Sequence, residues 1–161
     1  MFKLAFIFGL VNCALDLPSE QLTLQEFETV LYDQEARKLK VEIPLLLKFY
    51  APWCSACEAL SKQWSEIQVQ FADQLLVLNV DCTHEDSKEL CFQFNVRGYP
   101  TVMMVRNNKF YKYQGDRSFQ SLAEFAKNGF LAAKDQGAIP GKVVSLSSDE
   151  KKAEKTYLER L

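Results

Sequence analysis

Phe49-Tyr50-Ala51-Pro52-Trp53-Cys54-Ser55-Ala56-Cys57 is the stretch on which the reading of this chain turns. Before it stands Leu45-Leu46-Leu47, and after it Leu60, Trp64, Ile67 and Phe71 recur every three or four residues. A run that is apolar on both faces apart from Lys48, and bounded by Pro44, reads as a buried central strand. The spaced apolar residues that follow read as a long amphipathic helix. The two cysteines therefore fall where a strand hands over to a helix. Unpaired backbone N–H groups and the helix dipole stabilise a thiolate at that point. Cys57 lies one turn beyond Cys54, close enough to form a disulfide with it. Such a pair suits disulfide exchange; a structural disulfide or half of a zinc site are the competing readings. Zinc needs a second pair of ligands, and Cys82 and Cys91 stand too far apart in sequence, with only His84 near them. No metal and no cofactor beyond the dithiol is expected.

Outward from this point the chain alternates. Leu22-Thr23-Leu24 reads as a short edge strand, and Gln25 to Lys38 as a helix carried by Phe27, Val30 and Leu31. Thr23 with Glu26 fits a capping box at its start. Gln74 to Val80 is a second buried strand, and Ser87 to Phe94 a short helix bearing Leu90 and Cys91. Arg97 to Thr101 is a turn. Val102–Val105 and Phe110–Tyr113 flank Arg106-Asn107-Asn108-Lys109 as a β-hairpin. Ser118 to Phe130 closes the domain as a helix with Leu122, Phe125, Ala126 and Gly129 on one face. Early β-α-β alternation followed by a hairpin predicts an α/β fold: a mixed central sheet with helices on both faces.

Composition sets the outer bounds. At 161 residues, 48% apolar and 25% charged, the chain fits one soluble domain with a substantial core. A net charge of −2 gives no footprint for nucleic acid or an anionic membrane surface, and no stretch suits a transmembrane span. Residues 1–14, with Lys3 before the apolar run Leu4 to Val11, read as a cleaved secretory signal. A bacterial lipoprotein signal with lipid on Cys13, or a buried N-terminal strand, are the other readings. The domain is expected over 20–132 and a linker with a charged tail over 133–161. Within that tail Gly137 to Gly141 reads as linker, and Ser147 with Glu150 would cap a final helix bearing Tyr157, Leu158 and Leu161. With Cys13 removed four cysteines remain, an even number in an exported chain. Adjacent pairing, Cys54 with Cys57 and Cys82 with Cys91, is favoured among three connectivities.

Phe49-Tyr50-Ala51-Pro52-Trp53-Cys54-Ser55-Ala56-Cys57 followed by Val96-Arg97-Gly98-Tyr99-Pro100-Thr101 resembles the thioredoxin-like domains of protein disulfide isomerases. The resemblance runs from about Leu22 to Phe130, and Val80-Asp81-Cys82-Thr83 with Leu90-Cys91 resembles the multi-domain isomerases of the endoplasmic reticulum. It implies that Cys54 is the nucleophile and Cys57 the resolving thiol. It also implies that Pro100 is a cis-proline beside the dithiol, which keeps metals out and leaves Tyr99 backbone groups to pair with a bound peptide. Trp53 and Tyr99 would form an apolar lip for unfolded chains. Arg117 would help deprotonate the resolving cysteine. Cys82–Cys91 would stiffen its loop, with a second redox pair or two free thiols left as alternatives.

Three positions depart from the family pattern. Lys48, six residues before Cys54, stands where a buried acid usually relays protons to the resolving thiol. Ser55-Ala56 replaces the usual Gly-His, and Glu58 stands where Lys is common. Together they predict a less oxidising couple and a higher Cys54 pKa than in a Gly-His isomerase. Lys62, at a position where a kinking proline is frequent, predicts a straighter helix. The function expected is disulfide exchange on unfolded or disulfide-bearing client proteins, in the endoplasmic reticulum lumen or outside the cell. The C-terminal Tyr157-Leu158-Glu159-Arg160-Leu161 is not a Lys-Asp-Glu-Leu-type retrieval signal. A peptide-binding chaperone or recruiting module is the alternative. The redox partner is not encoded in any motif.

Overall fold

Leu45–Tyr50 forms the strand around which the sheet is built, β3, buried along its length up to a half-exposed Tyr50. The computed structural model describes residues 21–128 and the backbone of 135–138. β3 pairs in parallel with β4 (Leu76–Asp81) and antiparallel with β5 (Thr101–Arg106). β5 turns back through β6 (Lys109–Lys112), and with β7 (Asp135–Ala138) the mixed sheet has five strands in the order β4-β3-β5-β6-β7. Between β3 and β4 runs the helix α2 (Ser55–Gln70), the crossover that two parallel neighbours require. α3 (Lys88–Gln93) and α4 (Phe119–Lys127) follow β4 and β6.

Strand alternation divides the core in two. Leu45, Leu47 and Phe49 of β3 join Met103 and Val105 of β5, Leu90 and Cys91 of α3, and Phe27 and Leu31 from the N-terminal segment. Leu46 points the other way, with Val102 and Met104, onto Leu60, Trp64 and Ile67 of α2 and Leu122 and Phe125 of α4. Helical cover on both faces of a mixed sheet, with this strand order, is the thioredoxin fold. On the first face Phe94, fully buried, sits 5.5–5.8 Å from the rings of Phe27, Phe49 and Phe110.

The N-terminal segment departs most from the sequence reading. The edge contact comes earlier than expected: Gln21 bridges Asn79 in parallel, and Leu22 N–H donates to the Asn79 carbonyl at 2.7 Å. Thr23 is already the helix cap, with both halves of the capping box to Glu26 in place. The helix does not reach Lys38. A short α1 (Leu24–Glu26) runs into a π-helical turn, Phe27–Leu31, and the chain leaves it at Tyr32. Residues 33–38 carry no apolar side chain larger than that of Ala36 to hold a helix against the sheet, and the Asp33 carboxylate instead accepts the Ala36 N–H at 2.8 Å. A two-stranded ribbon results, β1 (Tyr32–Asp33) with β2 (Lys38–Leu39), closed through Arg37 at φ 51°.

The hairpin between β5 and β6 turns on Asn107 and Asn108, at φ 51° and 60°, the left-handed pair that a two-residue turn of this hand requires and that asparagine tolerates. Asn108 Oδ1 also accepts the Leu39 N–H, tying the ribbon to the hairpin. At the other end the sheet runs further than the sequence suggested. Asp135–Ala138 is a strand, β7, antiparallel to β6 with Lys109 opposite Ala138, where Gly137 was expected to open a linker. Its backbone satisfies the outer edge of β6, a demand that a strand edge makes without any side-chain pattern. The leader 1–14, Gly129 and the tail helix after Ser147 lie outside the described residues.

Candidate functional site

Cys54 is the N-cap residue of α2, at φ −85° and ψ 105°. The sequence places a sulfur where serine or aspartate usually stands, and that sulfur accepts the Cys57 N–H at 3.2 Å. The Cys54 carbonyl accepts the N–H groups of Cys57 and Glu58, so the first turn is closed around it. Helix start and cap donor together favour negative charge on the Cys54 sulfur. Cys54 is half-buried, Cys57 buried, and the structure joins them in a disulfide with Cα atoms 5.2 Å apart. An accessible sulfur at a helix start, bonded to a shielded one a turn inside, gives an attacking group and an internal group to displace it.

Around this pair the chain gathers two surfaces. Trp53 is exposed and meets the Tyr99 ring edge-on at 6.0 Å. The Tyr99–Pro100 bond is cis, and Thr101 Oγ1 donates to the Gly98 carbonyl at 2.7 Å, fixing the turn that presents Tyr99. Behind the dithiol lies a cleft of about 330 Å³, lined by Cys54, Cys57, Glu58 and Ser61 on the α2 side and by Lys48, Tyr50 and Asn79 from the sheet. Gln21 closes its edge, accepting the Tyr50 hydroxyl at 3.2 Å.

Lys48 is the unusual member. It is only 7% exposed, and its Nζ lies 5.2 Å from the Trp64 ring and 5.5 Å from the Tyr50 ring. No carboxylate pairs with it among the described residues. Desolvation therefore pushes its pKa down to about 8. Burial first, and then the charge of Asp81, push the Tyr50 phenol up.

The lysine predicts a pH signature in stability. Its pKa is about 8 folded and 10.5 as the free side chain, so between these values the unfolded chain binds more protons. Stability due to Lys48 thus rises with pH from about 8, and is lowest below it, where the charge stays buried. The raised phenols of Tyr50 and Tyr113 act in the opposite sense only above 10.0. Urea unfolding of Lys48→Met is expected to show higher stability than the parent at pH 7. The gap should narrow by roughly 1 kcal/mol on going to pH 9.5. A constant gap would contradict the burial of a charged ammonium.

Arg117 is not brought to the cleft. It is exposed in the turn between Asp116 and the α4 cap Ser118, and does not line the cavity behind the dithiol. Cys82 and Cys91, both fully buried with Cα atoms 5.7 Å apart, form a second disulfide that ties the end of β4 to α3. Its sulfurs are out of reach of a client. Asn79 was missed. It is buried on β4 opposite Lys48, and its Oδ1 has no hydrogen-bond partner among the described residues. The signal was one polar residue inside Leu75-Leu76-Val77-Leu78-Asn79-Val80. Nothing in that run distinguishes a functional amide from a satisfied one.

A dithiol at a helix start, backed by a mixed sheet and faced by a cis-proline turn, defines the thioredoxin-like class. The Thioredoxin family model matches residues 19–128, and the chain belongs to that family. Its domain is of the protein disulfide isomerase kind. A "Thioredoxin domain-containing protein" of Theileria parva is 38% identical over 88 residues, covering 54% of this chain and 39% of that protein. "Protein disulfide isomerase-like 2-1" of Oryza sativa subsp. japonica is 32% identical over 108 residues, covering 65% of this chain and 29% of that one. Among solved structures, the J-Trx1 fragment of ERdj5 superposes with a TM-score of 0.57 at 28% identity, over 69% of this chain and 51% of that fragment. The chain thus spans well under half the length of these two curated relatives. Among the described residues no helix is long and apolar enough to cross a membrane.

Proposed function

We propose that the protein is a thiol–disulfide oxidoreductase of the isomerase type, acting on disulfides of client proteins in the secretory pathway. The observation that carries this reading is Cys54: a half-buried sulfur capping α2, bonded to the buried Cys57. In the reduced protein the Cys54 thiolate attacks a client disulfide, forming a Cys54–client bond and releasing the other client sulfur as a thiolate. The Cys57 thiolate then attacks Cys54 Sγ, re-forming the internal disulfide and expelling the second client thiolate. Run in reverse, the same steps place a disulfide in the client.

The exposed Trp53 against Tyr99 supports a lip on which an extended client segment rests while Cys54 reacts. It also favours the second reading, a peptide-binding chaperone or recruiting module, in which the dithiol contributes little. The basic and apolar leader over 1–14 is what supports a secretory route, with residence in the endoplasmic reticulum lumen or secretion.

Equilibration with glutathione separates the readings. An exchanging dithiol reaches a defined ratio of disulfide to dithiol at each ratio of oxidised to reduced glutathione. Ser55-Ala56 supplies no cation beside Cys54, and Glu58 follows the pair. The midpoint is therefore expected to be more reducing than that of a Gly-His isomerase measured alongside. A midpoint at least as oxidising contradicts the electrostatic account, and failure to equilibrate contradicts the enzyme.

A further inference from the structure

The outer side of the α2–α4 layer carries a mostly apolar groove that the dithiol chemistry does not use. It holds about 500 Å³ and is lined by Ser65, Glu66, Val69 and Gln70 of α2 and by Phe119 at the start of α4. Val69 is 82% exposed, and Phe119 is only partly buried against the core beneath it. Glu66 is the one charged residue in the lining. Val69 lies fifteen residues past Cys54, about 22 Å along the helix axis, so the groove is remote from the sulfurs.

Strand register brings the chain that follows β7 to the same end of the molecule. α2 ends at Gln70 and the chain enters β4 at Leu76, which pairs with Leu45. Leu45 stands opposite Val105, Val105 opposite Phe110, and the neighbouring Lys109 opposite Ala138. Ala138, the last described residue, therefore leaves the sheet at the pole where α2 also ends. Beyond it the sequence carries an apolar stripe of its own. Ala153, Tyr157 and Leu161 recur four apart with Leu158 beside them, behind the Ser147–Glu150 cap. At roughly 100° per residue Lys151 and Arg160 flank that stripe, opposite in charge to Glu66. The nine residues from Ala138 to Ser147 span up to about 30 Å, and a helix over 147–161 adds about 20 Å. The path from β7 to the layer over β3 is roughly 14 Å across three strand spacings and about 10 Å outward, so the reach suffices.

We propose that residues 147–161 form an amphipathic helix whose Tyr157, Leu158 and Leu161 dock in the α2–α4 groove against Val69 and Phe119. The docking is independent of the exchange chemistry. Helix-in-groove burial of apolar side chains drives it, and the tether makes it intramolecular. A short linker supplies an effective concentration on the order of millimolar, so a contact of only millimolar strength is already substantially formed. A second copy of the chain offers the same stripe, but at micromolar protein its concentration is about a thousandfold lower. A contact of this strength opens locally well before the sheet unfolds, so trimming Val69 frees the tail without moving the global unfolding midpoint.

The test places the photo-crosslinker p-benzoylphenylalanine in place of Tyr157 in the otherwise intact chain. Irradiated at micromolar concentration and mapped by mass spectrometry after digestion, it is expected to join position 157 to residues 65–70 or to Phe119 of the same chain. Val69→Asn is expected to lower the yield of that crosslink about fivefold or more. Leu158→Ser with Leu161→Ser should lower it as far from the other side of the contact. An unchanged urea midpoint shows that Val69→Asn leaves the domain intact, and the tail double variant carries the test if that substitution does not fold. A mixture of isotope-labelled and unlabelled protein tells which chain each crosslink joins. Crosslinks between chains overturn the proposal in favour of docking by a second copy. Crosslinks spread over other surfaces, or a yield indifferent to both sets of substitutions, overturn it outright.

Discussion

Cys54→Ser is expected to bring insulin reduction down to the uncatalysed rate, a loss of about a thousandfold or more. The nucleophile is a thiolate, and a serine hydroxyl is un-ionised at any pH the fold survives. The variant should fold, because a serine oxygen caps α2 as well as the sulfur that it replaces, accepting the same Cys57 N–H. Loss of activity with an unchanged unfolding midpoint therefore reads as chemistry. Client binding measured in the same variant weighs the chaperone reading: the Trp53–Tyr99 lip is untouched by the substitution and should still hold an unfolded chain. Turnover surviving in Cys54→Ser would place the chemistry elsewhere.

Phe94→Ala is the second large effect, and it falls on stability. Phe94 is fully buried and joins three elements through its ring contacts: Phe27 in the N-terminal segment, Phe49 on β3 and Phe110 on β6. The loss is expected at about 3–5 kcal/mol, a large share of a typical domain's stability, read as a fall in the urea midpoint. Val69, 82% exposed on α2, is the internal contrast, and Val69→Ala should change the midpoint little. Comparable losses at both positions would mean that the first-face cluster is not the core.

What was legible in the sequence follows from which signals are local. β3 and α2 were readable because a Pro-bounded apolar run and a three-to-four spacing are each carried by consecutive residues. Both edges of the dithiol followed from them. The hairpin was readable because Arg106-Asn107-Asn108-Lys109 falls between two strand-like runs, and asparagine tolerates the left-handed conformation that both central residues adopt. The end of the first helix was not. Residues 33–38 include good helix formers, and only the absence of anything to bury, with the Asp33 turn, tells the chain to leave at Leu31. β7 was illegible for a different reason: its pairing answers the edge of β6, a strand whose need for hydrogen bonds is written nowhere in 135–138.

The site divides in the same way. The positions of Cys54 and Cys57 on the helix start were available from spacing. Lys48 was visible as an oddity in an apolar strand, but its lack of a carboxylate partner depends on what β4 and α2 bring beside it. Asn79 became part of the site only through strand register, which sets it opposite Lys48. Arg117 was carried over from the family pattern, and it lies exposed in the turn before α4, outside the residues that line the cleft.

The central claim is that Cys54 forms a covalent bond with client sulfur and Cys57 releases it. Cys57→Ala removes the resolving thiol and leaves the cap and the lip in place, so the first step should proceed and the second should stop. Incubated reduced with a disulfide-bearing peptide and mapped by mass spectrometry, this variant is predicted to accumulate a mixed disulfide on Cys54. Cys82 and Cys91 should remain paired with each other. No adduct on Cys54, or an adduct found only on another cysteine, would contradict the account.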